Sequence, residues 1–145
     1  MLFRSWLYPN EFSHGTRVMD DDQRPNRFMK DSNIPQPSST PVFSDAIWAE
    51  NWPKTNDLPA TNLYTGTRAP FLDELNGGAS MGELTIPRHG GRTPGAAPRE
   101  FDPKSKLPGA INLTCFDGHV EMSKLENLWN YRWNLTWVTP SPRPQ

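Results

Sequence analysis

Sixteen prolines set the limits on what this 145-residue chain can fold into. Proline fixes φ, removes a backbone donor and pushes the residue before it out of the helical region. The prolines fall mainly in residues 35–70, 87–110 and 139–145. Three of them in Pro35-Gln36-Pro37-Ser38-Ser39-Thr40-Pro41 exclude a helix there. Regular structure is thereby confined to short windows, with loops between them. Residues 1–40 read as a mostly irregular N-terminal segment, 41–138 as the folded domain and 139–145 as a flexible tail.

The windows are informative. Pro41 to Trp48 is partly apolar on both faces and reads as a buried strand. Pro70 to Leu75 suits one helical turn, with proline early and Gly77-Gly78 at the stop. In Met81 to Arg88, Leu84 and Ile86 alternate with Glu83 and Thr85, which predicts a second strand. Residues 89–110 form a long Pro/Gly loop, and loops beyond about 15 residues tend to be functional or mobile. Two alternating runs, 111–116 and 119–124, then flank Asp117-Gly118. That pair favours a two-residue type I′ hairpin turn, which needs positive φ twice. The implied register sets 116 against 119, Cys115 against Val120 and Leu113 against Met122 on an apolar face. Leu125, Leu128 and Trp129 lie at i, i+3 and i+4, as in a short amphipathic helix. The fold class these windows predict is α+β: a small antiparallel sheet with short helices and long Pro/Gly-rich loops.

Composition narrows the function classes. Leu, Ile, Val and Phe number 27, about a fifth of the chain and close to the disordered range. Yet the net charge is −1, with six Trp, seven Phe and three Tyr, which argues for a core filled by aromatic residues. Trp129, Trp133 and Trp137 are expected to pack on the hairpin face with Cys115, Val120, Leu113 and Met122. No run of about 18 apolar residues spans a membrane. Lone Cys115 excludes an intrachain disulfide and a multi-cysteine zinc site. Charge is balanced between the halves, so no basic tract points to nucleic acid.

Candidate chemistry is sparse. His89, Asp117 and His119 could form a metal-dependent site, but the expected register turns Cys115 and His119 to opposite faces. Asp117 has a ready role as a turn residue. Asp20-Asp21-Asp22 lacks EF-hand spacing, and His89-Gly90-Gly91-Arg92 lacks the helix start of a phosphate loop. Asn112-Leu113-Thr114 and Asn134-Leu135-Thr136 match glycosylation sequons, a short pattern that arises often by chance. Exposed Trp could stack sugars, which makes a carbohydrate-binding module the alternative reading. Arg92, Arg99, Lys104 and Lys106 in the long loop are candidates for a partner contact. No cofactor is expected.

One combination of segments is more specific. Pro87-Arg88-His89-Gly90-Gly91 and Gly109-Ala110-Ile111-Asn112-Leu113-Thr114-Cys115-Phe116-Asp117-Gly118-His119-Val120-Glu121 together resemble a family signature. The family is the bacterial, pseudopilin-like prepilin-type, processing-associated H-x9-DG domain. Ser39 to Trp48 and Leu128 to Trp133 are similar to segments of its members, and the likeness covers roughly residues 30–140. His89 matches the motif histidine, and Asp117-Gly118 the motif Asp-Gly. Here 27 residues separate them where the pattern has nine, so 90–110 reads as an insertion. The resemblance implies a pilin-like C-terminal head, 41–138, of a type II secretion or type IV pilus-like assembly. It implies a structural role without catalysis, other pilin-like or secretion subunits as partners, and an extracytoplasmic, cell-envelope location. The family's leader and hydrophobic helix are not seen in the sequence, so the expectation is of the head alone, without membrane insertion of its own.

Overall fold

A computed structural model describes residues 28, 30–47, 51, 53–66, 80–91 and 93–145. The expected turn at 70–75, the Asp20-Asp21-Asp22 run, Arg92 and Trp48 lie outside them. At the centre is a three-stranded antiparallel sheet in the order β1-β2-β3, with β1 Pro41–Ser44, β2 Ala110–Cys115 and β3 Val120–Lys124. With one short α-helix and four 3-10 segments around it among the described residues, the architecture is broadly α+β.

β1 is shorter than the predicted strand. Proline opens it, where the missing donor costs least, and a register shift follows between Pro41 and Phe43. Past Asp45 the chain turns off the sheet, and the Ile47 N–H donates to the Glu83 carbonyl. The predicted strand over 81–88 is absent: Ser80–Leu84 is the helix α1, followed by irregular backbone. Met81, Leu84 and Thr85 also sit at helical spacing, and all three are buried. The buried Thr85 hydroxyl donates to the Gly82 carbonyl and accepts from the Ala60 N–H. Just beyond the expected strand, His89 makes an isolated antiparallel bridge with Ala110.

The hairpin forms, but one residue out of the expected register. Ile111 pairs with Ser123, Leu113 with Glu121 and Thr114 with Val120. The Cys115 N–H donates to the His119 carbonyl, and the Gly118 N–H to the Cys115 carbonyl. The loop is therefore Phe116-Asp117-Gly118, the three-residue kind that ends in a left-handed glycine, and Gly118 has φ +90°. A one-residue slip turns a whole strand over. Val120 and Met122, expected in the core, are 68% and 60% exposed, while Ser123 is buried.

Leu125–Asn130 buries Leu125, Leu128 and Trp129 as predicted, but in a 3-10 segment rather than an α-helix. These residues join Trp133, Trp137, Leu113, Ile111, Cys115, Leu63, Leu84 and Ile86 in the main core. Its filling is thus tryptophan with leucine and isoleucine. Of the phenylalanines among the described residues only Phe28 is fully buried, in a second small cluster with Ile34. Each core indole satisfies its donor on a backbone carbonyl: Trp129 on Asp57, Trp133 on Leu128 and Trp137 on Trp129.

Two segments expected to be loose are tied down. The loop over 90–110 buries Ala97 and Leu107. Its backbone is stitched to 61–63 by Leu63 N–H to the Pro98 carbonyl and Phe101 N–H to the Thr61 carbonyl. The closing tail, expected to fray, is held by Arg143, which is 7% exposed and bonds the Glu126 carboxylate and the Pro103 and Ser105 carbonyls.

Two glycines separate the cost of a left-handed φ from the cost of crowding. A Cβ at Gly118 would meet nothing within 4 Å, whereas one at Gly109 (φ +80°) would lie 2.5 Å from the Pro87 Cβ. Gly118→Ala is expected to lose about 1–2 kcal/mol, the left-handed penalty alone. Gly109→Ala should lose at least about 1 kcal/mol more, because a rigid ring must move. Urea midpoints measure both, and equal losses would count against the crowding.

Candidate functional site

β2 carries a polar cluster at each end. At its start β1 has ended, and Asp45 takes over the ladder. The Asp45 N–H donates to the Asn112 carbonyl, and the Asp45 carboxylate accepts from the Asn112 N–H at 2.9 Å. The same Oδ2 lies 3.0 Å from His89 Nε2, and Asn112 Nδ2 lies 2.9 Å from that nitrogen. Nε2 donates to Asp45 in one tautomer and accepts from Asn112 in the other. The His89 backbone exchanges both hydrogen bonds with Ala110. His89 is therefore a clamp holding the 85–89 segment and the end of β1 onto β2.

The second cluster sits at the hairpin turn. Asp117 Oδ1 accepts from the His119 backbone at 3.2 Å and lies 2.6 Å from His119 Nδ1. This contact holds Asp117 below the usual carboxylate range, and the hydrogen bond to Asp117 raises the His119 imidazole. The other ring nitrogen, Nε2, lies 3.4 Å from Glu121 Oε1, which also accepts from the Tyr131 hydroxyl at 2.9 Å. Burial pushes the Tyr131 phenol up to about 12. Beneath them is the Cys115 thiol, pushed up to about 11 by burial and then by the charges of Glu121 and Asp117.

The observed register overturns one expectation here. Cys115 and His119 do not face apart: they are hydrogen-bonded partners across the hairpin, and Glu121 follows two residues on, on the same face. One ligand-type atom from each of Cys115, His119 and Glu121 lies within 4.8 Å of the others, the only such trio of these residue types among the described residues. Glu121 and Tyr131 were not among the residues singled out from the sequence. No local signal marks them, because the three-residue loop that brings positions 119 and 121 inward is as compatible with Asp117-Gly118 as a two-residue turn.

His89 is not part of this cluster. It pairs with Ala110 and His119 with Cys115, five residues along β2, or about 17 Å. The expected His89–Asp117–His119 combination is thus split between the two ends of a strand. Of the loop cations, Arg99 lies over the Tyr64 ring at 3.9 Å, and Lys104 and Lys106 are exposed. Trp129, Trp133 and Trp137 are buried and present no stacking platform, and the other three tryptophans lie outside the described residues. Asn134 of the second sequon is buried and donates to the Pro53 carbonyl. No helix among the described residues is long and apolar enough to cross a membrane.

No family model, no curated protein and no solved structure matches this chain.

Proposed function

We propose that this chain is a structural, non-catalytic head domain of the pseudopilin-like type, a subunit of a bacterial secretion or pilus-like assembly on the extracytoplasmic side of the cell envelope. The observation that supports this reading is the use made of the two halves of the motif. His89 is consumed in a clamp at one end of β2, and Asp117-Gly118 makes the turn at the other. They bracket one central strand and share no reacting centre, which is the arrangement of a motif that secures a sheet. The 90–110 insertion leaves β2 intact because it packs against 61–63 and Glu126. Its exposed Lys104 and Lys106 are then available to neighbouring pilin-like or secretion subunits.

Lysine-directed cross-linking in host cells, followed by mass spectrometry, tests the proposal. Links from Lys104 or Lys106 to pilin-like subunits are expected. Lys104→Glu with Lys106→Glu should abolish them and leave the melting temperature within about 1 °C, as for surface changes generally. Links confined to cytosolic proteins would overturn the reading. Deleting the loop is not a usable variant, because Ala97 and Leu107 would leave the core with it.

A further inference from the structure

We infer that the hairpin turn is a binding site for one divalent transition-metal ion of the zinc type, held by the Cys115 thiolate, the His119 imidazole and the Glu121 carboxylate. The inference stands apart from the assembly role, since nothing in it depends on a partner. A thiolate, an imidazole and a carboxylate form the mixed donor set that zinc accepts, at bond lengths of about 2.0–2.3 Å. Donors around such an ion stand about 3.5 Å apart. Here the three lie within 4.8 Å of one another, and the His119 Nε2 to Glu121 Oε1 separation is already 3.4 Å. Closing onto an ion requires the donor atoms to draw together by roughly 1 Å, from within 4.8 Å to about 3.5 Å.

The surroundings are also those of a metal site. Histidine ligands are characteristically oriented by a carboxylate on the other ring nitrogen, and Asp117 holds His119 Nδ1 at 2.6 Å. That contact leaves Nε2 to face Glu121. With the ring proton on Nδ1, the Nε2 lone pair and the carboxylate oxygen face each other, and either a proton or a metal cation bridges them. The Tyr131 hydroxyl fixes the carboxylate from behind. Cys115 forms the buried floor, while the His119 and Glu121 side chains are 41% and 42% exposed. Solvent therefore reaches the open side, where water completes four coordination. The thiol loses its proton to solvent when the sulfur–metal bond forms.

Cobalt(II) titration of the full-length protein, followed by competition with zinc, tests the site. One equivalent of cobalt should produce a thiolate-to-metal charge-transfer band and tetrahedral visible bands, both bleached by zinc. Cys115→Ser should abolish the charge-transfer band. Because Cys115 is buried and its variant could unfold, two partly exposed positions provide the second measurement. Glu121→Gln and Asp117→Asn should each weaken zinc binding about 10–100-fold, the usual effect of losing a ligand or its orienting carboxylate, with the circular dichroism unchanged. His89→Gln should bind as the wild type does. A wild-type spectrum without the thiolate band, or equal affinities in the Glu121 and Asp117 variants and the wild type, would overturn the proposal.

Discussion

Trp129→Ala is expected to cost roughly 3–5 kcal/mol, the range for removing a buried aromatic side chain. The indole is 1% exposed and lies within the main core. Three contributions are lost together. The ring's apolar contacts disappear and leave a cavity that the rest of the core can fill only by moving. The Asp57 carbonyl loses the indole N–H at 3.1 Å. The Arg143 guanidinium, 5.7 Å from the ring centroid, loses its aromatic face. A domain of this size has only about 5–15 kcal/mol to lose, so the variant should melt far below the wild type or not fold at all. Trp129→Phe keeps most of the ring and deletes the donor, and should cost about 1–3 kcal/mol. Denaturant midpoints of the two variants provide the check. An alanine variant within 1 kcal/mol of the wild type would mean that Trp129 does not bridge the 3-10 segment to the 57–63 region.

The tryptophans show why some of this fold was legible in the sequence. Leu125, Leu128 and Trp129 repeat at three and four residues, and that spacing identified the buried face whether the backbone became α or 3-10. Turn chemistry likewise located the hairpin, because Asp117-Gly118 lies between two alternating runs. Its register was open. Asp-Gly serves a two-residue turn or the end of a three-residue loop equally well, and each choice buries a different side of β3. Apolar pattern favours burying Val120 and Met122. The fold instead buries Ser123 and half-buries Glu121, and it compensates Glu121 through Tyr131, ten residues away. Such compensation has no local sequence signature. The run at 81–88 failed for a related reason, since five to eight apolar-rich residues satisfy both periods and only the packing of Met81, Leu84 and Thr85 decides. The turn cluster was missed with the register: once β3 is turned over, Cys115 and His119 become neighbours.

Arg143→Ala is expected to destabilise the domain by about 1.5–3 kcal/mol, the range for losing hydrogen bonds made by a charged group, since Arg143 is buried while its partner Glu126 is 32% exposed. Residue 143 is the third from the end of the sequence, where composition alone suggests fraying. Its side chain is nevertheless 6% exposed and reaches two remote segments. Nε donates to Glu126 Oε1 at 2.9 Å, Nη1 to the Pro103 carbonyl at 2.9 Å and Nη2 to the Ser105 carbonyl at 2.6 Å. Glu126 in turn accepts from the Leu107 N–H through its other oxygen at 2.8 Å. The guanidinium and this one carboxylate therefore hold the long loop, the 3-10 segment and the tail together. Alanine would remove the donor to the Pro103, Ser105 and Pro144 carbonyls and to Glu126 Oε1, under a tail no longer anchored. Arg143→Lys should recover only part of the loss, because a single ammonium cannot reproduce the planar fork. Glu126→Gln keeps an acceptor oxygen and isolates the charge. In a double-mutant cycle Arg143 and Glu126 should couple by about 0.5–3 kcal/mol, and added salt should weaken the coupling less than for an exposed pair. Thermal and urea unfolding of the four proteins measure the cycle. Additive losses would reduce Arg143 to a backbone-carbonyl anchor, and an unchanged melting temperature in Arg143→Ala would show that the tail stabilises nothing.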